Sequence, residues 1–115
     1  MAEKNKKIDP IVIDDADKGK KYTLTFTRDT VKEAESDGFA VDEIDRYPLT
    51  RIPQMFYYAF MANHEGEVTR EDTDRILDEL GGIADMPDGM LKRLGELYGV
   101  AFRSTTTNPR IKVKF

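Results

Sequence analysis

The sequence predicts an α+β fold that is mainly α, with an N-terminal β-hairpin packed on a small bundle of about four helices. Two patterns carry this prediction. Near the N terminus, apolar and polar residues alternate, which is typical of half-buried strands. From about residue 30 onward, apolar residues recur at three- and four-residue spacings, which is typical of amphipathic helices. Apolar residues make up 39% of the 115-residue chain and lie in clusters, which favours a folded core.

The length and the distribution of residue types predict one domain with two simpler ends. Residues 1–9 are polar and are expected to form a flexible arm. Residues 10–103 contain the helical and strand patterns and form the predicted globular domain. Residues 104–115 are expected to form either a C-terminal tail or an added strand.

Two short segments, "IVID" (11–14) and "KYTLTFT" (21–27), predict the strands of the hairpin. In the second segment, Tyr22, Leu24 and Phe26 point to one face and the threonines between them to the other. The intervening "DADKGK" has the composition of a turn. Because an isolated hairpin is only marginally stable in water, its apolar face is expected to pack on the helices.

The first helix is predicted at about 31–37, where Thr30 and Glu33 have the spacing of a capping box and Gly38 gives a stop. A single helical turn is expected at 42–46. The central helix is predicted at about 51–64, with Thr50 as its cap and Pro53 within its first turn.

The central helix is unusually apolar. Residues 55–62 contain no charge, and four of the eight are aromatic. At 100° per residue, Met55, Phe56 and Phe60 share one broad face, whereas Tyr57 and Met61 lie opposite. A helix that is apolar nearly all round is buried on more than one side. Two interpretations stay open, a core helix covered by its own chain and a helix whose second face contacts another chain.

Two further helices complete the predicted bundle. Thr69 is expected to cap a helix over 70–80 that the glycines at 81–82 end, and a strongly amphipathic helix is predicted over 87–103. The final "RIKVKF" (110–115) alternates apolar and basic residues. It fits either a third strand beside the hairpin or a loose tail that orders with a partner.

The residue content disfavours catalysis, a metal site and a cofactor. The chain has no cysteine, which excludes disulfides and thiolate zinc sites. Its one histidine, His64, is expected to be a surface residue at a helix end. Neither Ser36 nor Ser104 lies in a nucleophile motif. We therefore expect no enzyme activity, no cofactor and no bound metal.

The charge and hydropathy of the chain limit its partners and its location. The net charge is −4 and the lysines lie mostly towards the two ends, so nucleic-acid binding is not expected. No segment approaches the roughly 20 apolar residues of a membrane helix, and no secretory signal precedes the domain. We expect a cytoplasmic protein that does not enter a membrane.

These exclusions leave a binding surface as the expected functional feature. Binding energy at protein interfaces concentrates in a few aromatic and arginine residues. On the central helix, the candidates for contact with a partner are Arg51, Tyr57, Tyr58, Phe60 and Met61.

The order of these segments resembles a known family. A strand runs into "LTFTRDTVKEAESDGF" (24–39), and an aromatic helix and a Thr-capped helix follow in "IPQMFYYAFMANHEGEVTREDTDRILDEL" (52–80). Over roughly residues 20–102 the chain is similar to the small tail assembly chaperones of long-tailed phages, including those of prophages and gene transfer agents. The resemblance implies a mainly helical fold, no catalysis and a homo-oligomer. It also implies binding of the tape measure protein, which is kept soluble, and recruitment of the tail tube protein.

Two other functions fit the same residues. The protein could be a structural component of a virion, such as a tail-completion or head–tail joining protein. It could also be a small regulatory adaptor that binds nucleic acid through its Lys-rich ends, although the net negative charge disfavours this alternative.

Overall fold

The computed structural model describes residues 8–102 and 109–115 and has the predicted α+β, mainly α fold. An antiparallel hairpin precedes four helices, and a short 3₁₀ helix (Val41–Glu43) lies between the first two of them. The strands are β1 (Ile11–Asp15) and β2 (Lys20–Leu24), and the helices are α1 (Arg28–Ser36), α2 (Pro48–His64), α3 (Arg70–Glu79) and α4 (Met90–Val100).

The hairpin packs its inner face on α2. The pairing of the strands runs from Ile11 opposite Leu24 to Asp15 opposite Lys20. Ile13 and Leu24 are buried, and Tyr22 and Phe26 are buried with them. The alternation in the sequence therefore predicted the buried face of this segment correctly.

The central helix α2 is the core of the molecule. It packs against β2, α1, α3 and α4. Met55, Phe56, Ala59 and Phe60 are essentially inaccessible to solvent. Because elements of its own chain surround it, α2 can be apolar on nearly all sides without being exposed.

The first helix begins three residues earlier than predicted. Its N-cap is Thr27, whose hydroxyl accepts a hydrogen bond from the backbone N–H of Thr30 at 3.2 Å. The Thr30 hydroxyl in turn accepts from the Thr27 N–H at 2.9 Å. Thr30 is therefore the N3 partner of the capping box and not the cap, and β2 ends before it reaches Thr27. At α3, Thr69 caps the helix as predicted and pairs with Asp72.

Two other helix boundaries differ from the prediction. Helix α2 begins at Pro48, and Tyr47 takes the cap position expected for Thr50. Pro53 consequently lies inside the helix, which loses the hydrogen bond that an N–H there would donate. Helix α4 is shorter than predicted and starts at Met90, after Gly89 in a left-handed conformation.

The predicted ends of the chain are described only in part. Residues 1–7 of the expected arm lie outside the described residues, whereas Ile8 packs against the core and the Asp9 carbonyl accepts a hydrogen bond from Arg93. At the other end, residues 104–108 also lie outside them. Residues 111–115 carry no strand, and the sheet of the described residues has two strands.

The length and the apolar character of the helices bear on membrane insertion. In residues 8–102 and 109–115, no helix has both the length and the apolar character needed to cross a lipid bilayer.

Candidate protein-binding surface

Two of the five predicted contact residues belong to the core, which corrects their assignment to a partner surface. Phe60 has no exposed surface, and its ring lies edge-on to Tyr22 at 5.3 Å and to Phe56 at 5.1 Å. Met61 is only 9% exposed and belongs to the same core cluster. The helical positions were inferred correctly, but neighbouring elements cover α2 on both of its faces, so neither side chain is available to a partner in this fold.

Arg51 is held by its own chain. Its guanidinium contacts the Glu43 carboxylate at 2.7 Å and donates to the side-chain oxygen of Gln54 at 3.1 Å. Gln54 is buried, and its side-chain amide donates to the backbone carbonyl of Asp37 at 2.8 Å. Arg51 thus ties the 3₁₀ helix and the end of α1 to the start of α2, and its charge is already paired.

The two adjacent tyrosines are partly buried. Their rings contact each other edge-on at 5.0 Å, and both pack against the core cluster. The Tyr58 hydroxyl donates a hydrogen bond to the Asp37 carboxylate at 3.1 Å. Burial and the hydrogen bond to this negatively charged acceptor raise the pKa of Tyr58 to about 12.

Stability should therefore depend on Tyr58 at alkaline pH. The folded protein keeps the phenolic proton above pH 10.0, where a tyrosine in the unfolded chain loses it. The folded state then binds more protons than the unfolded state, so the free energy of unfolding should fall as the pH rises from 10 towards 12. Urea unfolding across this range should show a smaller fall in Tyr58→Phe than in the wild type.

The comparison of Tyr58→Phe with the wild type isolates the contribution of the Tyr58 hydroxyl to the alkaline loss of stability. Burial also raises the pKa of Tyr98, which therefore contributes to the alkaline loss of stability in both proteins. Equal pH dependence in the wild type and Tyr58→Phe would contradict the assigned hydrogen bond to Asp37.

A groove with a mixed apolar and charged lining lies where the start of α2 meets α3. Its volume is about 310 Å³, and the side chains that form its apolar surface are Leu49, Pro53, Leu77 and Ile83. Leu49 is 78% exposed although it is a large aliphatic residue. We call this feature the α2–α3 groove.

Charged side chains surround the α2–α3 groove. Arg70 and Asp74 form an ion pair at 3.1 Å, and Asp78 is the third charged residue of the lining. Apolar and charged side chains therefore line this groove together, and both kinds of contact occur at protein-binding surfaces.

Two more exposed apolar side chains precede α2. Tyr47 is 49% exposed, with the Arg46 guanidinium 5.9 Å from the centre of its ring, and Val41 is 45% exposed. The sequence analysis did not select Tyr47 or Leu49, because the central helix was predicted to begin at about residue 51 and both residues lie before it. The available signal for their exposure was their position beside Pro48, at the start of the helix, where the covering elements stop.

Comparison with known proteins places the chain in a family. Residues 1–114 match the family described as Domain of unknown function (DUF5055). The chain belongs to this family. No curated protein and no solved structure matches it. The description of DUF5055 states no activity, so the function proposed for this member follows from its own residues and surfaces.

His64 has a structural role in this DUF5055 protein that its sequence position did not reveal. Its Nε2 accepts a hydrogen bond from the backbone N–H of Thr23 at 2.9 Å, so this nitrogen carries no proton. Its Nδ1 lies 3.1 Å from the Glu67 carboxylate. Asn63 completes the contact by donating to the Thr23 carbonyl at 3.1 Å. The end of α2 therefore covers the outer edge of β2.

The side chains of the described residues do not form a metal site. Residues 8–102 and 109–115 contain no group of three or more His, Cys, Asp or Glu side chains with the spacing to bind a metal ion. The α2–α3 groove offers a combination of apolar and charged contacts.

Proposed function

We propose that this DUF5055 protein is a non-enzymatic tail assembly chaperone of a long-tailed phage or prophage. In this role it binds the tape measure protein, keeps it soluble and helps to recruit the tail tube protein. It acts in the host cytoplasm as a homo-oligomer, without nucleic acid, membrane or cofactor. The resemblance over roughly residues 20–102 supports the choice of partners, and the exposed groove supports a binding function.

The α2–α3 groove is the observation that carries the proposal. A helix that binds in a groove inserts apolar side chains at three- and four-residue spacings and keeps its polar face in water. The groove offers Leu49 and Ile83 to such side chains, and its charged lining residues to the polar residues beside them. A long amphipathic helical protein such as a tape measure presents many segments of this kind.

The balance of exposed apolar and charged groups suits a chaperone. The free protein must stay soluble while it offers apolar contacts, and a charged border limits association with unrelated surfaces. With 35% charged residues and a net charge of −4, the chain has the surface composition for this task.

Co-expression with the tape measure protein of the same genome tests the proposal. We expect the wild type to hold that protein in the soluble fraction and to co-purify with it. Leu49→Asp should lose most of this capture because it places a charge on the groove floor, and it should unfold like the wild type because Leu49 is exposed. The amount of soluble tape measure protein, measured per amount of chaperone, reports the effect.

Phe102→Asp is the matched control. Phe102 is also exposed, at 55%, but it lies at the end of α4 and does not line the groove. This variant should capture the tape measure protein like the wild type. Equal capture by Leu49→Asp would contradict the role of the groove. Failure of the wild type to bind, together with its presence in finished particles, would favour a structural virion component.

A further inference from the structure

The two edges of the hairpin differ in how their backbone groups are satisfied. In an antiparallel pair, the N–H and C=O of a residue both face the partner strand or both face away. Both groups of Thr23 bond to side chains of α2, and the Thr25 N–H donates to the Ala59 carbonyl at 3.0 Å. Helix α2 therefore closes the edge of β2 at Thr23 and Thr25.

The opposite edge, on β1, is open. Val12 pairs with Thr23 and Asp14 pairs with Lys21, and both pairs are of the type without hydrogen bonds between the strands. The backbone N–H and C=O of Val12 and Asp14 therefore point away from β2. Within the part of the chain that the structure describes, these groups have no hydrogen-bond partner. Val12 is also 61% exposed, so the outer face of the sheet beside this edge is in contact with solvent.

An open strand edge is a template for another strand. Proteins usually protect such edges with charges, prolines, bulges or a covering element, since unpaired backbone groups otherwise recruit further strands. The residues of β1 whose backbone groups face the open edge are Val12 and Asp14. One carboxylate is weak protection against a strand that brings positive charge.

The C-terminal segment of the same chain has the properties of that strand. Residues 110–115 alternate, with Ile111, Val113 and Phe115 on one side and Lys112 and Lys114 on the other. Ile111 is 78% exposed, Val113 is 74% exposed and Phe115 is fully exposed. β-Branched and aromatic residues at every second position are typical of a strand with one buried face.

We propose that residues 110–115 of one copy of the chain bind the β1 edge of a second copy as a third strand. The main-chain bonds form with the outward groups of Val12 and Asp14. The face that carries Ile111 and Val113 then continues the apolar inner face of the hairpin, and the lysines lie on its outer face.

The surroundings of β1 match both faces of this strand. A cleft of about 210 Å³ beside β1 is lined by apolar Ile13, Ile76 and Leu80 and by acidic residues that include Asp14, Asp17 and Glu79. The apolar side chains of the added strand contact the apolar residues of this cleft. Its lysines lie on the outer face beside Asp14, and they continue the alternation of charge that begins with Lys21 opposite Asp14.

The second copy is the occupant because every chain carries both halves of the contact. In the structure, a chain's own residues 111–115 lie outside its sheet and are exposed. A contact between two different surfaces joins chains head to tail, which gives a ring if the rotation closes and an open assembly if it does not. This contact is separate from the α2–α3 groove, which neither β1 nor residues 110–115 line, and it deepens the part of the proposed function that makes the protein a homo-oligomer.

Carbodiimide cross-linking of the unmodified protein tests the proposal. The reagent joins a carboxylate to an amine that contacts it, so Asp14 or Asp17 should become linked to Lys112 or Lys114. In an equal mixture of ¹⁴N- and ¹⁵N-labelled protein, links between copies combine the two labels. We expect mixed-label links between these residues in covalent dimers. Links within one label only, or no link between these segments, would overturn the proposal.

A variant pair tests the strand contact by sedimentation. Val12→Pro removes an N–H that points away from β2, so it blocks the open edge while it leaves the bonds of the hairpin in place. It should raise the concentration for half-association by about tenfold, the factor expected for one lost backbone hydrogen bond. Val12→Thr keeps that N–H and should associate like the wild type. Association of Val12→Pro at the wild-type concentration, or a wild type that stays monomeric throughout, would overturn the proposal.

Discussion

Phe60→Ala should lower the free energy of unfolding by about 3–5 kcal/mol, the cost of removing a buried aromatic ring and leaving a cavity. The ring has no exposed surface and touches Tyr22 and Phe56 edge-on. It therefore joins the hairpin to the central helix, and its loss affects both. Urea unfolding followed by circular dichroism measures the change.

Leu49→Ala is the control for this measurement. The side chain is also large and lies on the same helix, but it is 78% exposed. Its removal should change the free energy of unfolding by less than about 0.5 kcal/mol, as for most surface substitutions. A loss for Phe60→Ala in that surface range would contradict its place in the core, and a large loss for Leu49→Ala would contradict the exposed groove.

The features of the fold that could be predicted from the sequence are those set by neighbouring residues. Thr69 caps α3 because its partner, Asp72, lies three residues away and needs no other element. The buried face of β2 follows from the alternation of Tyr22, Leu24 and Phe26. At α1 the same local reasoning selected the wrong threonine, since Thr27 and Thr30 are themselves three residues apart and each bonds the other's backbone.

The features that were missed depend on residues far apart in the chain. His64 bonds Thr23, which lies 41 residues before it, and no local pattern indicates which strand edge the end of α2 meets. The predicted central helix began at about residue 51, so Leu49 lay outside it, and a local pattern does not show where the covering elements stop. The burial of Met61 was missed for the converse reason. The helical pattern left its face of α2 uncovered, whereas another part of the chain packs on that face.

A partner-binding surface on the central helix stays a prediction, and the structure buries Phe60 and Met61, two of the residues expected to form it. The sequence indicated a binding protein whose contact residues lie on the central helix. The structure moves the exposed apolar residues to the start of that helix, where Leu49 meets Ile83 from the segment after α3. Which end of an apolar helix stays uncovered is decided by the packing of the whole chain, and that information is not local.

Gly81→Ala is the second substitution expected to have a large effect. Gly81 follows α3 with φ +115°, and a Cβ there would clash with the backbone carbonyl of Asp85. The N–H groups of Gly81 and Gly82 donate to the carbonyls of Asp78 and Leu77, the two bonds that close a Schellman motif. Alanine at this position should lower the free energy of unfolding by more than the 1–2 kcal/mol or so of a left-handed backbone alone, because the clash adds to it.

Gly82→Ala separates the cost of the left-handed backbone from the cost of the clash with Asp85. Gly82 also has a positive φ, +71°, but open space surrounds the position of its Cβ. It should show the backbone cost of about 1–2 kcal/mol without the clash. Unfolding free energies that are equal for the two variants would contradict the close approach of Asp85.

The same pair of glycines connects stability to the proposed binding surface. Gly81 and Gly82 set the path of the chain from α3 to Ile83, which lines the α2–α3 groove. If the backbone at Gly81 shifts to accept a methyl group, Ile83 moves with it and the groove changes shape. Gly81→Ala should therefore reduce capture of the tape measure protein more than Gly82→Ala does, at a temperature where both variants are folded. Equal capture by both would show that the position of Ile83 does not determine binding.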